Sequence, residues 1–344
     1  DRLVAACERH LVQVGIDAPL MVVRGDGALI SAAMVRERPI ETILSGPAAS
    51  IVGARWLTGA SDALVSDIGG TTTDVALLRG GLPEIDPQGA RVGGFRTMVE
   101  AVAMRTTGLG GDSEVHLVTE GLTGGLRLGP RRLMPVSLLA MEHGEMVHAA
   151  LDRWLSSEAV GEMDGRFVVP MSGQCGGLNA RELAVLERIT RPMTMAAALT
   201  SRLEVAALER LVARGLVMLS GVTPSDAAHV LGRLDTWDGA AAEKALRLIA
   251  KRRTGAGERF ATGPKVFAQA VVDQLTQQTV DCLLEAAFGE DAEFADEAPE
   301  TLARHTLTRA GLARHRGVLE LDGRLGVPVI GLAASAPTSP AAVG

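Results

Sequence analysis

Asp67 and Asp74 bracket a run of Ile68, Gly69, Gly70, Thr71, Thr72 and Thr73. Consecutive glycines followed by threonine let backbone N–H groups face one point with no Cβ in the way, which suits an anion such as phosphate. A carboxylate at the end of a strand that faces bound anionic oxygens needs a cation between, so Asp67 implies Mg²⁺ and its waters. Gly69, Gly70, Thr71 and Thr72 are the candidate phosphate cradle. Asp67 is the candidate metal-holding carboxylate, and Asp74 is the second carboxylate of the candidate site. An ordinary hairpin with a Thr-rich turn would use the same glycines; the two flanking aspartates favour the site.

A second stretch of the same character is Thr106-Thr-Gly-Leu-Gly-Gly-Asp-Ser113. Here Gly110, Gly111, Asp112 and Ser113 can place backbone donors and a carboxylate near a ligand. A plain glycine hairpin explains the stretch equally well, and the residues leave both readings open.

The elements that must position these loops are short and apolar. Residues 64–68 and 75–78 are apolar runs of strand length, so the first site reads as strand, polar turn, strand. That order excludes a P-loop, which needs a lysine and a following helix, and a dinucleotide fingerprint, which also needs strand then helix. Leu44-Ser-Gly-Pro-Ala-Ala-Ser-Ile-Val-Gly-Ala54 predicts a helix with Ser45 or Gly46 as cap and Pro47 at its first position. Its small face predicts close packing on a sheet, and its N-terminus near the hairpin would add a positive dipole end.

Elsewhere the spacing predicts helices over 1–15, 138–155, 180–189, 195–200, 204–214, 240–251, an amphipathic 266–288, and 300–315. Strands are predicted at 19–23, 82–85, 167–170, 217–219, 319–321 and 327–332. Asn179 with Glu182 reads as a capping box. Ser225 or Asp226 caps a short helix, with His229 a surface residue; both Asp226 and His229 lie on the side from which they could instead reach a substrate or metal. His143 and His148, five apart, do not share a helix face and read as solvated or packing residues. Cys175 has no histidine near it in sequence and reads as an inert thiol. Residues 180–219 follow a winged-helix order in which Arg202, Arg210 and Arg214 would contact phosphates, but Glu204 and Glu209 oppose DNA.

The bulk composition narrows the function. At 344 residues the chain exceeds one core, and 47% hydrophobic residues suffice to fill two or three lobes. Aromatics at 3%, with no Tyr, argue against stacking platforms for bases, and a net charge of −7 disfavours nucleic acid or an anionic membrane as main partner. Cys7, Cys175 and Cys282 form no C-x-x-C pair, so free thiols in a reducing cytoplasm are expected. No apolar run reaches the ~20 residues of a membrane span. The chain begins at Asp1, as a piece of a longer protein would.

Asp-Ile-Gly-Gly-Thr-Thr-Thr-Asp-Val over 67–75 resembles the second phosphate loop of the actin, sugar-kinase and heat-shock-chaperone ATPase superfamily. Within it the chain is most similar to the hydantoinase A/5-oxoprolinase/acetone carboxylase group. The helix at 44–54 and the Ser-Asp-Ala…Leu-Gly-Arg segment within 221–234 match that group too. Its Gly-Gly-Gly-Ser pattern is replaced here by Gly-Gly-Asp-Ser, which introduces Asp112. The resemblance implies an α/β fold, a ribonuclease-H-like actin-type ATPase lobe with a β-hairpin phosphate loop. Its core would occupy 1–132 and 221–344, with a mainly helical insertion at 133–220. It further implies ATP and Mg²⁺ as cofactors, an adenosine loop near 333–338, and an N-terminal lobe with a second phosphate loop outside this chain. The implied activity is ATP-dependent ring opening of a cyclic amide such as a hydantoin or 5-oxoproline, often with a B-type partner subunit. The alternatives are an ATP-dependent ketone carboxylase subunit and a non-catalytic ATP-sensing protein on the same fold.

Overall fold

The structure is a computed structural model describing residues 2–89, 91–92, 95–119, 124–173 and 175–333. The chain divides into two compact units, one made of Asp1–Ile68, Thr72–Thr107 and Thr279–Gly344, the other of Gly69–Thr71 and Gly108–Gln278. Both mix helices and sheets. Among the described residues no helix is long and apolar enough to cross a membrane.

The first unit is built on a five-stranded sheet. Its strand order is Arg105–Thr107, Thr73–Arg79, Ala63–Ile68, Val329–Ala333, with Leu82–Pro83 also paired to Thr73–Arg79. Val329–Ala333 runs parallel to Ala63–Ile68 and the other pairs are antiparallel. Period-2 alternation sends Ala63, Val65, Ala76 and Leu78 to one face, where they pack on Ala48, Ile51 and Ala54. That stripe belongs to the Ser45–Thr58 helix, and its alanines bring helix and sheet backbones close together. Leu64, Ser66, Val75 and Leu77, on the opposite face, are buried as well.

Several boundaries differ from the sequence expectation. The Ser45–Thr58 helix is preceded by Leu44 in the left-handed conformation, φ 59°, so neither Ser45 nor Gly46 caps it and Pro47 is its third residue. The missing proline N–H is still harmless there, because the first four amides of a helix have no intrahelical acceptor. The strand expected at 82–85 is two short strands, Leu82–Pro83 on the main sheet and Ile85–Asp86 on Ala101–Val102. The helix expected at 300–315 is two, Pro299–Arg304 and Thr306–Leu312. His305 stands between them with extended backbone, its ring accepting from the Leu307 amide. Residues 319–321 form no strand; only an isolated bridge joins Arg316 to Glu320. The Pro264–Glu290 helix is not simply amphipathic, since Cys282, Leu283, Leu284, Glu285 and Ala286 are all buried. Glu285 tolerates this because Arg105 and Arg304 reach it at 3.0 and 2.8 Å. Of the expected adenosine loop, residues 334–338 lie outside the described residues.

In the second unit, Ser113–Val118 pairs antiparallel with Gly125–Arg132. A four-stranded sheet runs in the order Met134–Pro135, Val217–Gly221, Phe167–Pro170, Met193–Thr194. Leu208, Leu211, Leu219, Val168 and Val185 form its core with the Ala180–Arg188 and Val205–Ala213 helices. The expected Asn179–Glu182 capping box is present. Further helices are Val136–Ser156, Pro224–Val230 and Gly239–Ala250.

Candidate phosphate-binding site

In the first unit the antiparallel register places Asp67 directly opposite Asp74, with Ile68 opposite Thr73 as the last pair before the turn. Directly opposed side chains share a face with Cβ atoms about 5 Å apart, where two like charges repel. Asp74 is held by two hydroxyls, donated by Thr106 Oγ1 to Oδ1 at 2.6 Å and by Thr72 Oγ1 to Oδ2 at 3.2 Å. Thr106 is the cross-strand neighbour of Asp74 on the other side, so the three residues make one row across three strands. Asp67 makes no side-chain hydrogen bond among the described residues, and neither aspartate has an ion pair there. Both are half-buried. Two opposed carboxylates without a compensating arginine or lysine fit a hard divalent cation. Mg²⁺ takes one or two carboxylates and completes its shell from water and phosphate. Among the described residues no cluster of three or more His, Cys, Asp or Glu could form an all-protein metal cage.

In the second unit the turn Gly69–Thr71 lies against residues 109–113. The Gly69 carbonyl accepts from Gly111 N at 3.1 Å, and the Gly70 carbonyl from Asp112 N at 2.7 Å. In a trans peptide the C=O and the following N–H point opposite ways. Fixing these two carbonyls toward residues 111 and 112 therefore turns the Gly70 and Thr71 amides away from them. Those two amides donate to no group among the described residues, and Gly69, Gly70 and Thr71 are exposed. Two successive outward amides are the donor pair of an anion-binding nest.

The loop at 110–113 keeps its own donors occupied. Gly110 N donates to Ser113 Oγ at 2.8 Å and Ser113 N to the Gly110 carbonyl at 3.1 Å, while Gly111 N and Asp112 N hold the turn. Its glycines allow this contact. A Cβ on Gly110 would lie 2.4 Å from the Gly69 oxygen and 2.7 Å from the Gly70 carbonyl carbon; one on Gly70 would meet Asp112 Oδ2 at 3.0 Å. Asp112 is mostly buried. Its Oδ2 accepts from Arg132 Nη2 at 3.1 Å and Nε at 3.3 Å, and its Oδ1 from Ser225 Oγ at 3.4 Å. Burial pushes the Asp112 carboxyl above the usual range, against the opposing pull of Arg132 and Ser225. The structure therefore brings together Gly69, Gly70 and Thr71 with Gly110, Gly111, Asp112 and Ser113 in one unit. In the other it joins Asp67, Asp74 and Thr72. Sequence reasoning missed the roles of Arg132, Ser225 and Thr106, because each lies at least 20 positions along the chain from its partner.

The remaining candidates resolve into structural roles. Thr223, not Ser225 or Asp226, caps the Pro224–Val230 helix, with Asp226 as the reciprocal member of its capping box. Asp226 is fully buried and also accepts from Val136 N, Ser137 N and Ser137 Oγ at 3.2, 2.8 and 2.6 Å, so one carboxylate caps two helices. His229, expected on the surface, is buried; it is held by the Ser225 carbonyl at 2.8 Å and stacked on Trp237. His143 sits at a break in the Val136–Ser156 helix, and His148 binds Asp238 at 2.9 Å. Arg202 pairs with Glu162, Arg210 with Glu182, and Arg214 with the Gly176 carbonyl, so all three are engaged within the chain. Cys175 is exposed and free.

Comparison with known proteins adds a lineage. The family model described as hydantoinase/oxoprolinase matches residues 2–280. The caprolactamase subunit alpha of Pseudomonas jessenii is 29% identical over 122 residues, which are 35% of this chain and 17% of that protein. Two solved structures are similar at 18% identity, each over 83% of this chain. The nucleotide-free structure of acetone carboxylase, an enzyme of ATP-dependent acetone carboxylation, has a TM-score of 0.48 and is covered over 30% of its chain. The ATP-dependent caprolactamase from Pseudomonas jessenii has a TM-score of 0.43 and is covered over 31%. The chain thus spans less than a third of the length of each of these proteins. With the family model extending over most of its length, the chain belongs to the hydantoinase/oxoprolinase family.

Proposed function

We propose that the 67–74 hairpin is a phosphate clasp of an ATP-dependent hydrolase that opens cyclic amides of the hydantoin or 5-oxoproline type. The observation that carries this reading is the outward orientation of the Gly70 and Thr71 amides, forced by the two carbonyl bonds to residues 111 and 112. In this reading the hairpin belongs to a ribonuclease-H-like, actin-type ATPase lobe, with 133–220 as an insertion, and the whole protein supplies the opposing lobe. Family membership supports the hydrolase class, and the similarity to a caprolactamase alpha subunit supports both a cyclic amide as substrate and a partner subunit.

When bound, ATP supplies the phosphoryl group that turns a poorly reactive amide oxygen into a leaving group. The chain's residues contribute position and charge. The Gly70 and Thr71 amides donate to phosphate oxygens, with Gly69 and Thr72 completing the turn. Asp67 and Asp74 hold Mg²⁺, Asp74 being fixed in place by Thr106 and Thr72. Gly110, Gly111, Asp112 and Ser113 serve the nucleotide site by bracing the turn from behind, and Arg132 keeps the Asp112 charge from opposing the phosphates.

ATP hydrolysis by the full-length protein, with and without hydantoin or 5-oxoproline, tests the proposal. Stimulation by one of them is expected, and Asp67→Asn is expected to abolish turnover while leaving the melting temperature within a few degrees. Absence of stimulation by either amide, or unchanged turnover in Asp67→Asn, refutes it.

A further inference from the structure

The second unit contains a cavity of about 330 Å³ whose lining includes Val115, Leu117, Val222, Ile249, Arg166 and Arg252. It is built by one strand of the 113–132 hairpin, the turn leading into Phe167–Pro170, and the segment after the Gly239–Ala250 helix. None of these residues takes part in the phosphate clasp. Its walls divide by chemistry. Val115, Val222 and Ile249 are buried and apolar, whereas Arg166, Arg252, Arg253 and His116 bring polar heads to the same space.

Arginines dominate the polar side of that lining. Glu114, buried, accepts at Oε1 from Arg166 Nη2 at 2.5 Å. Its Oε2 has His116 Nε2 at 3.6 Å and Arg131 Nε at 3.7 Å, ion-pair distances without a hydrogen bond. Arg131 also pairs with Glu209, at 3.6 Å, so Glu114 is chiefly the partner of Arg166. Arg252 Nη2 donates to the carbonyls of Gly161, Glu162 and Asp164 at 3.2, 3.0 and 3.2 Å, acceptors that carry no net charge. Its Nε is buried and has no hydrogen-bond partner among the described residues. Burial and the neighbouring Arg166 hold the Arg252 guanidinium below its ordinary range, which the attraction of Asp164 and Glu162 only partly offsets. A buried, unmet guanidinium N–H is costly, and an anion that accepts from it relieves the cost.

We propose that this cavity binds a small aliphatic carboxylate, its head at Arg252 and Arg166 and its chain along Val115, Val222 and Ile249. The planar guanidinium fork matches a carboxylate, and the apolar walls add what inorganic anions cannot use. At about 330 Å³ the space is at the lower end of small-molecule sites, roughly 300–1,000 Å³. This site is independent of the ATPase reading.

Isothermal titration of the full chain with glutarate and butyrate, against inorganic phosphate at matched ionic strength, tests the proposal. The carboxylates are expected to bind and phosphate to bind at least about tenfold more weakly. Arg252→Lys, which keeps the charge but removes the planar fork, is expected to weaken glutarate about tenfold or more, the effect of one charged hydrogen bond. Leu117→Trp, which fills the cavity while keeping every arginine, is expected to remove binding. Phosphate binding as tightly as glutarate, full affinity in a folded Leu117→Trp protein, or no heat with either carboxylate overturns the proposal. Asp67→Asn should leave glutarate binding unchanged, so failure of the ATPase reading is distinguishable from failure of this one.

Discussion

Gly110→Ala places a Cβ 2.4 Å from the Gly69 oxygen and 2.7 Å from both the carbon and the oxygen of the Gly70 carbonyl. Carbon contacts settle near 3.5–4.0 Å, so the two backbones must separate by about 1 Å. No flexible side chain can absorb that movement, because the atoms met are all main chain. Separation weakens the Gly111 N to Gly69 O and Asp112 N to Gly70 O bonds together. Overpacking costs about 1–3 kcal/mol and each of the two lost bonds about 1 kcal/mol, so the expected destabilisation is about 3–5 kcal/mol. For a unit of this size that lowers the melting temperature by roughly 6–20 °C, readable by scanning calorimetry. The same displacement frees the Gly70 and Thr71 amides from their fixed direction, so ATP affinity should fall with stability. Gly53→Ala is the control. Its added Cβ meets nothing within 4 Å on the Ser45–Thr58 helix, and a helical Gly→Ala change should be neutral or stabilising by up to about 1 kcal/mol. A Gly110→Ala protein melting within 1 °C of the parent would refute the account of a turn held by backbone contact.

Two further substitutions test the scaffold around the site. The Arg188 guanidinium, with the Thr200 amide and hydroxyl, holds the Glu204 carboxyl down at about 2, against an ordinary value of 4.5. A depressed carboxyl stabilises the fold above its unfolded pKa and loses that contribution as pH falls through the folded one. Glu204→Gln should therefore melt lower than the parent at pH 7, with the difference shrinking between pH 4.5 and about 2; a pH-independent difference would exclude the ionic explanation. Asp226→Asn puts an NH₂ group where one oxygen now accepts from at least one backbone N–H, leaving donor facing donor in a fully buried position. The expected cost is about 2–4 kcal/mol, seen as a lower urea midpoint, and a loss below 0.5 kcal/mol would show that the carboxylate is not the shared cap of two helices.

The hairpin was legible because its signal is local. Apolar runs at 64–68 and 75–78 around a Gly-rich turn leave no other assignment. Even the opposition of Asp67 and Asp74 was within reach by counting, since a four-residue turn after Ile68 pairs 68 with 73 and therefore 67 with 74. The Thr223-Pro-Ser-Asp226 pattern likewise contains a capping box with proline at the first helical position. What could not be read was the second duty of Asp226. Its partners Val136 and Ser137 lie some 90 positions earlier, and nothing in their type announces an amide in need of an acceptor. The break at His305 was hidden for a related reason: apolar periodicity runs through it, and only the backbone shows that its ring caps a new helix.

The glycines at 110 and 111 mark where sequence reasoning stops for the site itself. A glycine that admits a ligand and a glycine that admits another peptide have the same signature, because both need only the absence of a Cβ. The structure separates the two by accounting for each amide. Those at 110–113 are all spent within the protein, whereas those of Gly70 and Thr71 meet no acceptor among the described residues. In the proposed reading, anion binding therefore falls to the turn, and the loop's contribution is to set its direction. Asp112 fits that division. Next to free phosphate-binding amides a carboxylate would repel the ligand; with its amide on Gly70, its Oδ2 on Arg132 and its Oδ1 within reach of Ser225, it acts as a strut whose charge is already met.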